Sequence, residues 1–245
     1  MGRLMKIVAD LHTHSIASVH AYATINEMAQ EAADLGLYGF AVTDHGITMH
    51  GTPHPYYFMN LCAVPKVFRD VRIIKGAEAN ILDRFGNRDV EAEVLSRNLE
   101  FCIASLHMPT FKDEVSVEVC TEAYLNIAEN PNVNMIAHSG SPYFKYDYEK
   151  VIKKFAEKGK LIEINNASVK NKPDFLPNCI EIAKLCKKHG CRVSVDTDAH
   201  FITQIGRADE SLRMLESIDF PEELVINASV ENFEKYLKEQ NISLK

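Results

Sequence analysis

The sequence predicts an α/β protein built as a closed or nearly closed β/α barrel, and three observations carry that expectation. Seven short runs rich in apolar and β-branched residues recur along the chain, at positions 6–11, 39–43, 72–76, 101–105, 134–137, 160–164 and 192–195. Helical stretches separate them, the pattern of parallel strands joined by crossovers. No low-complexity tract, Ser/Gly linker or block of like charge interrupts the chain, so its 245 residues are read as a single domain spanning 1–245. Seven such strands favour a barrel over an open sheet.

The connecting elements have their own signals. After the first strand, Thr24 with Glu27 fits a capping box and Gly36 sits where that helix should stop. After the second, positions 46–60 hold Gly46, Gly51, Pro53, Pro55 and three aromatics, and read as a long loop. Asp147 can cap a helix running toward Gly159, a further helix should span about 178–190, and Ser229 can cap a last one ending near Gln240. Tyr56, Tyr57 and Phe58 suit the 46–60 loop either to closing over a substrate or to packing against a second copy of the chain. A homo-oligomer is therefore an open expectation.

Composition excludes several classes of function. Lys plus Arg number 27 against 34 Asp plus Glu, a net charge of −7. Whole-surface attraction to nucleic acid or anionic lipid is not expected from that balance. No apolar run approaches the roughly 18 residues that a membrane-spanning helix needs. The first residues, Met1 to Lys6, are charged too early for a signal-peptide core. The six cysteines (Cys62, Cys102, Cys120, Cys179, Cys186 and Cys191) include no CxxC pair. They read as reduced thiols of a cytoplasmic protein.

Histidine is the unusual residue: ten are present, and tryptophan is absent. In a β/α barrel the C-terminal ends of the strands converge on one mouth. Taken in order, those ends carry His12 and His14, Asp44 and His45, Glu78, His107, His138, Asn165 and Asn166, then Asp198 and His200. Five of the seven ends thus hold a histidine. Along a strand, side chains two apart share a face, so His12 aims with His14 and Asp198 with His200. Imidazoles and carboxylates without thiolate suit zinc, manganese or iron, whereas calcium wants oxygen alone. His20, just beyond the first strand, is of the right type to serve a further ion. Any one of these groups alone reads equally well as a turn or a buried ion pair; their joint placement at one mouth does not. His50 and His54 in the long loop, and His189 before Gly190, suit solvated or capping roles instead.

The motifs Asp10-Leu11-His12-Thr13-His14-Ser15, His20-Ala21-Tyr22, Thr43-Asp44-His45-Gly46, Gly76-Ala77-Glu78-Ala79-Asn80-Ile81, Ala137-His138-Ser139-Gly140 and Asp198-Ala199-His200 together resemble the polymerase and histidinol phosphatase (PHP) superfamily. Within it the chain is similar to the YcdX-type phosphatases, from Asp10 through Asp219-Phe220-Pro221. The resemblance implies a distorted seven-stranded, TIM-like β/α barrel with three divalent metal ions at its mouth, usually zinc. It implies that His12, His14, Glu78 and Asp198 serve a first ion. Glu78 then bridges to a second held by His107 and His138, while His20, His45 and His200 hold the third. Glu78, Asp198 and His200 take the catalytic roles. Two departures stand out: Ser139 where proline often follows the histidine, and Asp196-Thr197 in place of Gly-Ser before the final Asp-x-His. Asp196 adds a negative charge near the expected site.

Three such ions, seven neutral histidines and two carboxylates give a local charge of about +4 within an acidic protein. A mouth of that kind attracts a compact multiply charged anion. Ions there lower the pKa of a bridging water to give a hydroxide nucleophile, and polarise phosphoryl oxygens. Metal-dependent hydrolysis of small phosphomonoesters is the expected function, with Arg207 a candidate phosphate contact. An exonuclease or phosphodiesterase acting on nucleic acid ends is the nearest alternative, disfavoured by the lack of a basic stripe. A hydrolase of C–N bonds and a metal-holding regulatory module with a decayed site are weaker alternatives.

Overall fold

The computed structural model describes residues 5–91, 94 and 97–244. Positions 1–4 of the N-terminal stretch, and the ends of the 1–245 span, lie outside them. All seven expected strands form, with an added two-residue strand: β1 Ala9–Thr13, β2 Gly39–Val42, β3 Val67–Phe68, β4 Val71–Asn80, β5 Phe101–Ser105, β6 Met135–Ile136, β7 Leu161–Asn165 and β8 Val193–Asp196. The sheet order is β1-β2-β4-β5-β6-β7-β8, every neighbouring pair parallel. The short β3 pairs antiparallel with β4. A bridge between Thr13 and Ala199 brings the last strand's end back to β1. The result is a nearly closed, TIM-like α/β barrel.

Asn227 fills the remaining seam. Its side-chain nitrogen donates to Ala9 O at 2.8 Å and Val195 O at 2.7 Å, and its oxygen accepts from Val195 N at 3.0 Å. One amide thus satisfies backbone groups on both edges that would otherwise be buried without partners.

The described helices are α1 Ile25–Asp34, α2 Pro55–Asn60, α3 Val117–Glu129, α4 Tyr148–Glu157, α5 Asn166–Asn171, α6 Leu176–His189, α7 Asp209–Ser217 and α8 Val230–Glu239. Their caps follow the sequence. Thr24 and Glu27 form the capping box of α1, Asp147 caps α4 and Ser229 caps α8. Gly190 ends α6 in the left-handed conformation, φ +66°, that glycine adopts without a Cβ penalty. The expectation of a loop throughout 46–60 is corrected by α2. His54 caps it, Nδ1 accepting from Tyr56 N at 3.2 Å, and Pro55 occupies the first turn, where its missing N–H costs nothing.

Two strands extend furthest past their expected ends. β1 runs to Thr13 and β4 to Asn80, so His12 and Glu78 lie inside strands rather than beyond them. Gly76 makes the second extension feasible, since a Cβ there would lie 2.7 Å from Phe101 O. In β1 the register slips: Asp10 pairs with Phe40 but Thr13 with Val42. Three steps against two form a bulge, a device that re-aims side chains. Leu11 accordingly joins the barrel's interior apolar cluster while the adjacent His12 faces Glu78 and Glu163.

That interior cluster draws on Leu11, Ala41, Ile74, Ile103, Met135 and Leu161, and α8 packs against it through Phe233, Tyr236 and Leu237. A larger apolar layer joins the outer faces of the strands to α3, α4, α6 and α7. The six cysteines are free thiols, five of them buried. Among the described residues, no helix is long and apolar enough to cross a membrane.

Candidate metal centre and active site

All nine side chains expected at the mouth come together there. Glu78, fully buried, is the hub. Its Oε1 lies 2.8 Å from His138 Nε2 and 3.6 Å from His107 Nε2, and accepts from Ser105 Oγ at 2.6 Å. Its Oε2 lies 2.6 Å from His45 Nδ1, 3.5 Å from His12 Nε2 and 3.6 Å from His14 Nε2. Asp198 Oδ1 stands 3.2 Å from His14 Nε2 and 3.5 Å from His12 Nε2. His20 Nε2 and His45 Nε2 are 3.2 Å apart, and the His20 and His200 rings stack at 4.7 Å. Backbone strain accompanies this gathering: His138 and Asp198 both take positive φ, +33° and +56°. Such conformations cost of order 1 kcal/mol and persist where the surroundings over-determine them.

The outward ring nitrogens are fixed by acceptors, which leaves the inward ones free to ligate. His12 Nδ1 donates to Glu163 Oε1 at 2.7 Å, and His200 Nδ1 to Asp198 O at 2.9 Å. His107 Nδ1 donates to Asn80 Oδ1 at 2.7 Å; that amide is oriented because its nitrogen donates to Asp89 Oδ2 at 2.6 Å. Ser18 gives its one hydroxyl hydrogen to Asp44 Oδ1 at 2.7 Å, so its oxygen accepts from His14 Nδ1 at 3.2 Å and His45 N at 3.1 Å. Asp44 also accepts from Ser15 and, at Oδ2, from the Tyr57 hydroxyl, which ties α2 to the centre. Four imidazoles thus present Nε2 lone pairs inward.

The donor set fits divalent cations. Three groups have their ligand atoms within 4.8 Å of one another: His12, His14 and Asp198; His45, Glu78 and His107; and His14, His45 and His200. His45 Nδ1 and Glu78 Oε2 are buried without a hydrogen-bond partner, their 2.6 Å approach lacking hydrogen-bond geometry. Two such polar atoms at the hub fit ligation of a divalent cation. Electrostatics agree. Burial alone would depress His12 and His45, but Glu163, Asp198 and Glu78 around the first, and Glu78 beside the second, raise both. Burial would raise the carboxyls, yet the surrounding histidines hold Glu78 and Asp198 well below the usual carboxylate range. His14, buried, and His107, half-buried, both desolvated and facing other histidines, are pushed down to about 3. The pocket therefore stabilises anionic carboxylates and concentrated positive charge beside neutral imidazoles.

A model of the PHP domain matches residues 10–167. A probable phosphatase of Acetivibrio thermocellus is 47% identical over 234 residues, covering 96% of each chain. The chain belongs to the PHP family. A second probable phosphatase, from Caldanaerobacter subterraneus, is 45% identical across 98% of this PHP chain and 94% of its own. The crystal structure of a histidinol phosphate phosphatase from Lactococcus lactis, complexed with zinc, L-histidinol and phosphate, shares the fold. Its TM-score is 0.63 at 19% identity, covering 93% of this chain and 95% of that one.

Three sequence expectations meet the PHP structure differently. Asp196 is fully buried against the seam, accepting from Leu11 N at 2.7 Å. Burial, Asp10 and Glu163 raise its carboxyl well above the ordinary range, which favours the neutral acid over the negative charge the sequence suggested. Arg207 stands apart from the cleft, its Nη1 pairing with Glu31 at 2.8 Å and bonding Thr203 O at 3.0 Å. Asn165 and Asn166 are structural: Asn165 caps α5 and bridges Glu163 to Asp198, while Asn166 holds Ser211 N at the start of α7. Glu163 was missed by the strand-end reading. Its Oε1 holds His12 while Oε2 accepts from His138 N at 2.7 Å. A charge inside the apolar run Leu161-Ile162-Glu163-Ile164 was the available signal.

Proposed function

We propose that this PHP protein is a metal-dependent phosphatase of small phosphomonoesters. It would hold three divalent ions, zinc foremost with manganese or iron as alternatives, among His12, His14, His20, His45, Glu78, His107, His138, Asp198 and His200. The observation that carries the reading is the Glu78 carboxylate. Both of its oxygens face imidazole nitrogens on several strands, and one has no hydrogen-bond partner. Bound there, such ions supply an activated water and polarise the phosphoryl oxygens.

The residues do the rest. Glu78 bridges the groups of ligands from the floor of the mouth. Asp198 and His200, 14% and 26% exposed, meet the cleft and complete the set at its lip. Glu163, Asn80 and Ser18 hold the rings of His12, His107 and His14 in ligating tautomers. Relatives named probable phosphatases, and a structural neighbour solved with zinc and phosphate, support the same reading. The acidic surface favours small substrates over nucleic acid, and a cytoplasmic location goes with the free thiols.

A substrate panel tests this. Zinc- or manganese-loaded protein should hydrolyse p-nitrophenyl phosphate, sugar phosphates or histidinol phosphate and leave single-stranded DNA intact. Glu78→Ala should lower p-nitrophenyl phosphate turnover by roughly a thousandfold and reduce metal content while the chain stays folded. DNA trimming without monoester turnover would replace the phosphatase reading with the exonuclease one.

A further inference from the structure

The candidate centre forms one side of a cleft of about 610 Å³, of a size that takes a leaving group as well as a phosphate. The turn between α5 and α6 also lines the cleft. Phe175 N donates to Lys172 O at 2.9 Å and Leu176 N to Pro173 O at 3.3 Å, with Pro173 at the position where its fixed φ preforms a turn. Lys172 Nζ lies 4.8 Å from the centroid of the Phe175 ring, a cation–π contact that holds the ammonium in place. Among the described residues lining the cleft, Lys172 is the sole lysine or arginine. No carboxylate pairs with it among the described residues, although Asp174 shares the turn and the lining.

We propose that Lys172 is a specificity-determining residue that selects phosphomonoesters whose leaving group carries a second anionic group, phosphate or carboxylate. The inference rests on the phosphatase reading: the scissile phosphate goes to the histidine-rich floor and the second anion to the Lys172 ammonium. A cation backed by an aromatic ring and without a carboxylate partner among the described residues is a point charge ready for an anion. Beside the apolar walls, including Leu106, Met108, Phe144 and Phe175, the lining hydroxyls of Ser141 and Tyr143 are uncharged, so among the described residues Lys172 alone brings a fixed positive charge to a leaving group.

The test compares metal-loaded, full-length wild type with K172Q and K172R on two matched pairs. These are fructose 1,6-bisphosphate against fructose 6-phosphate, and 3-phosphoglycerate against glycerol 3-phosphate; the pairs distinguish phosphate from carboxylate as the second anion. Wild type should prefer the doubly anionic member of at least one pair. In K172Q that preference, as a ratio of kcat/KM values, should fall about tenfold or more, mainly through KM, and K172R should restore most of it. Turnover of both members with a ratio that K172Q leaves unchanged, or a wild-type preference for the singly anionic member of both pairs, overturns the assignment of Lys172 alone. No turnover of any of the four by wild type that does hydrolyse p-nitrophenyl phosphate overturns the assignment of Lys172 alone, whereas no turnover of p-nitrophenyl phosphate either overturns the phosphatase reading, and this inference with it.

Discussion

Glu163 and His12 are joined through the carboxylate Oε1 and the ring Nδ1 at 2.7 Å, both side chains fully withdrawn from solvent. The second oxygen of Glu163 accepts from the backbone N of His138. One carboxylate therefore orients the His12 ring on β1 and fixes the chain at His138 after β6, and it does not line the cleft.

Glu163→Gln leaves a single acceptor where two are used. Its amide can still receive His12 Nδ1–H or His138 N–H, but not both. Loss of such a supporting partner typically weakens metal affinity 10–100-fold. The variant should therefore be nearly inactive at limiting zinc and recover as zinc is raised, with a shifted midpoint in a zinc titration followed by turnover. A midpoint equal to that of wild type would remove Glu163 from ligand orientation.

Asn227→Ala should destabilise the barrel by about 2–4 kcal/mol, because it strands Ala9 O, Val195 O and Val195 N together inside the seam. Urea unfolding of the metal-free proteins measures this without a contribution from bound ions. The midpoint should drop with little change in slope. A difference below about 0.5 kcal/mol would mean that water or a neighbouring side chain replaces the amide.

His107 gives a pH dependence with a definite sign. Burial pushes its imidazole down to about 3 in the fold, against about 6.5 in an unfolded chain. Between those values the unfolded metal-free chain binds the extra proton. The contribution of His107 to stability is thus complete above pH 6.5 and lost progressively as pH falls toward 3. His107→Asn removes that loss. Relative to wild type the metal-free variant should gain stability as pH is lowered from 7 to 4; a constant difference over that range would contradict the burial argument.

The residues explain why the fold and most of the centre were legible in sequence and the remainder was not. Strand ends of a barrel converge whatever the loops do, so reading His12, His45, His107, His138 and His200 off successive ends located the mouth without knowing any loop geometry. The capping box of Thr24 and Glu27 and the stop at Gly190 are local events that short windows contain. What escaped depends on contacts distant in the chain. Glu163 is 151 residues from the ring it holds, and Asp196 read as a negative charge near the site because the seam that buries it is built by Leu11 and Asn227. The helix in 46–60 carried its signal in His54-Pro55, outweighed by Gly46, Gly51 and Pro53 before it.

The most direct measurement of the central claim is the metal content of protein purified without chelator, by mass spectrometry of zinc, manganese and iron against chain concentration. Glu78 and the eight side chains gathered with it predict close to three ions per chain. One ion or none, in protein that is folded and was never stripped, would contradict the account.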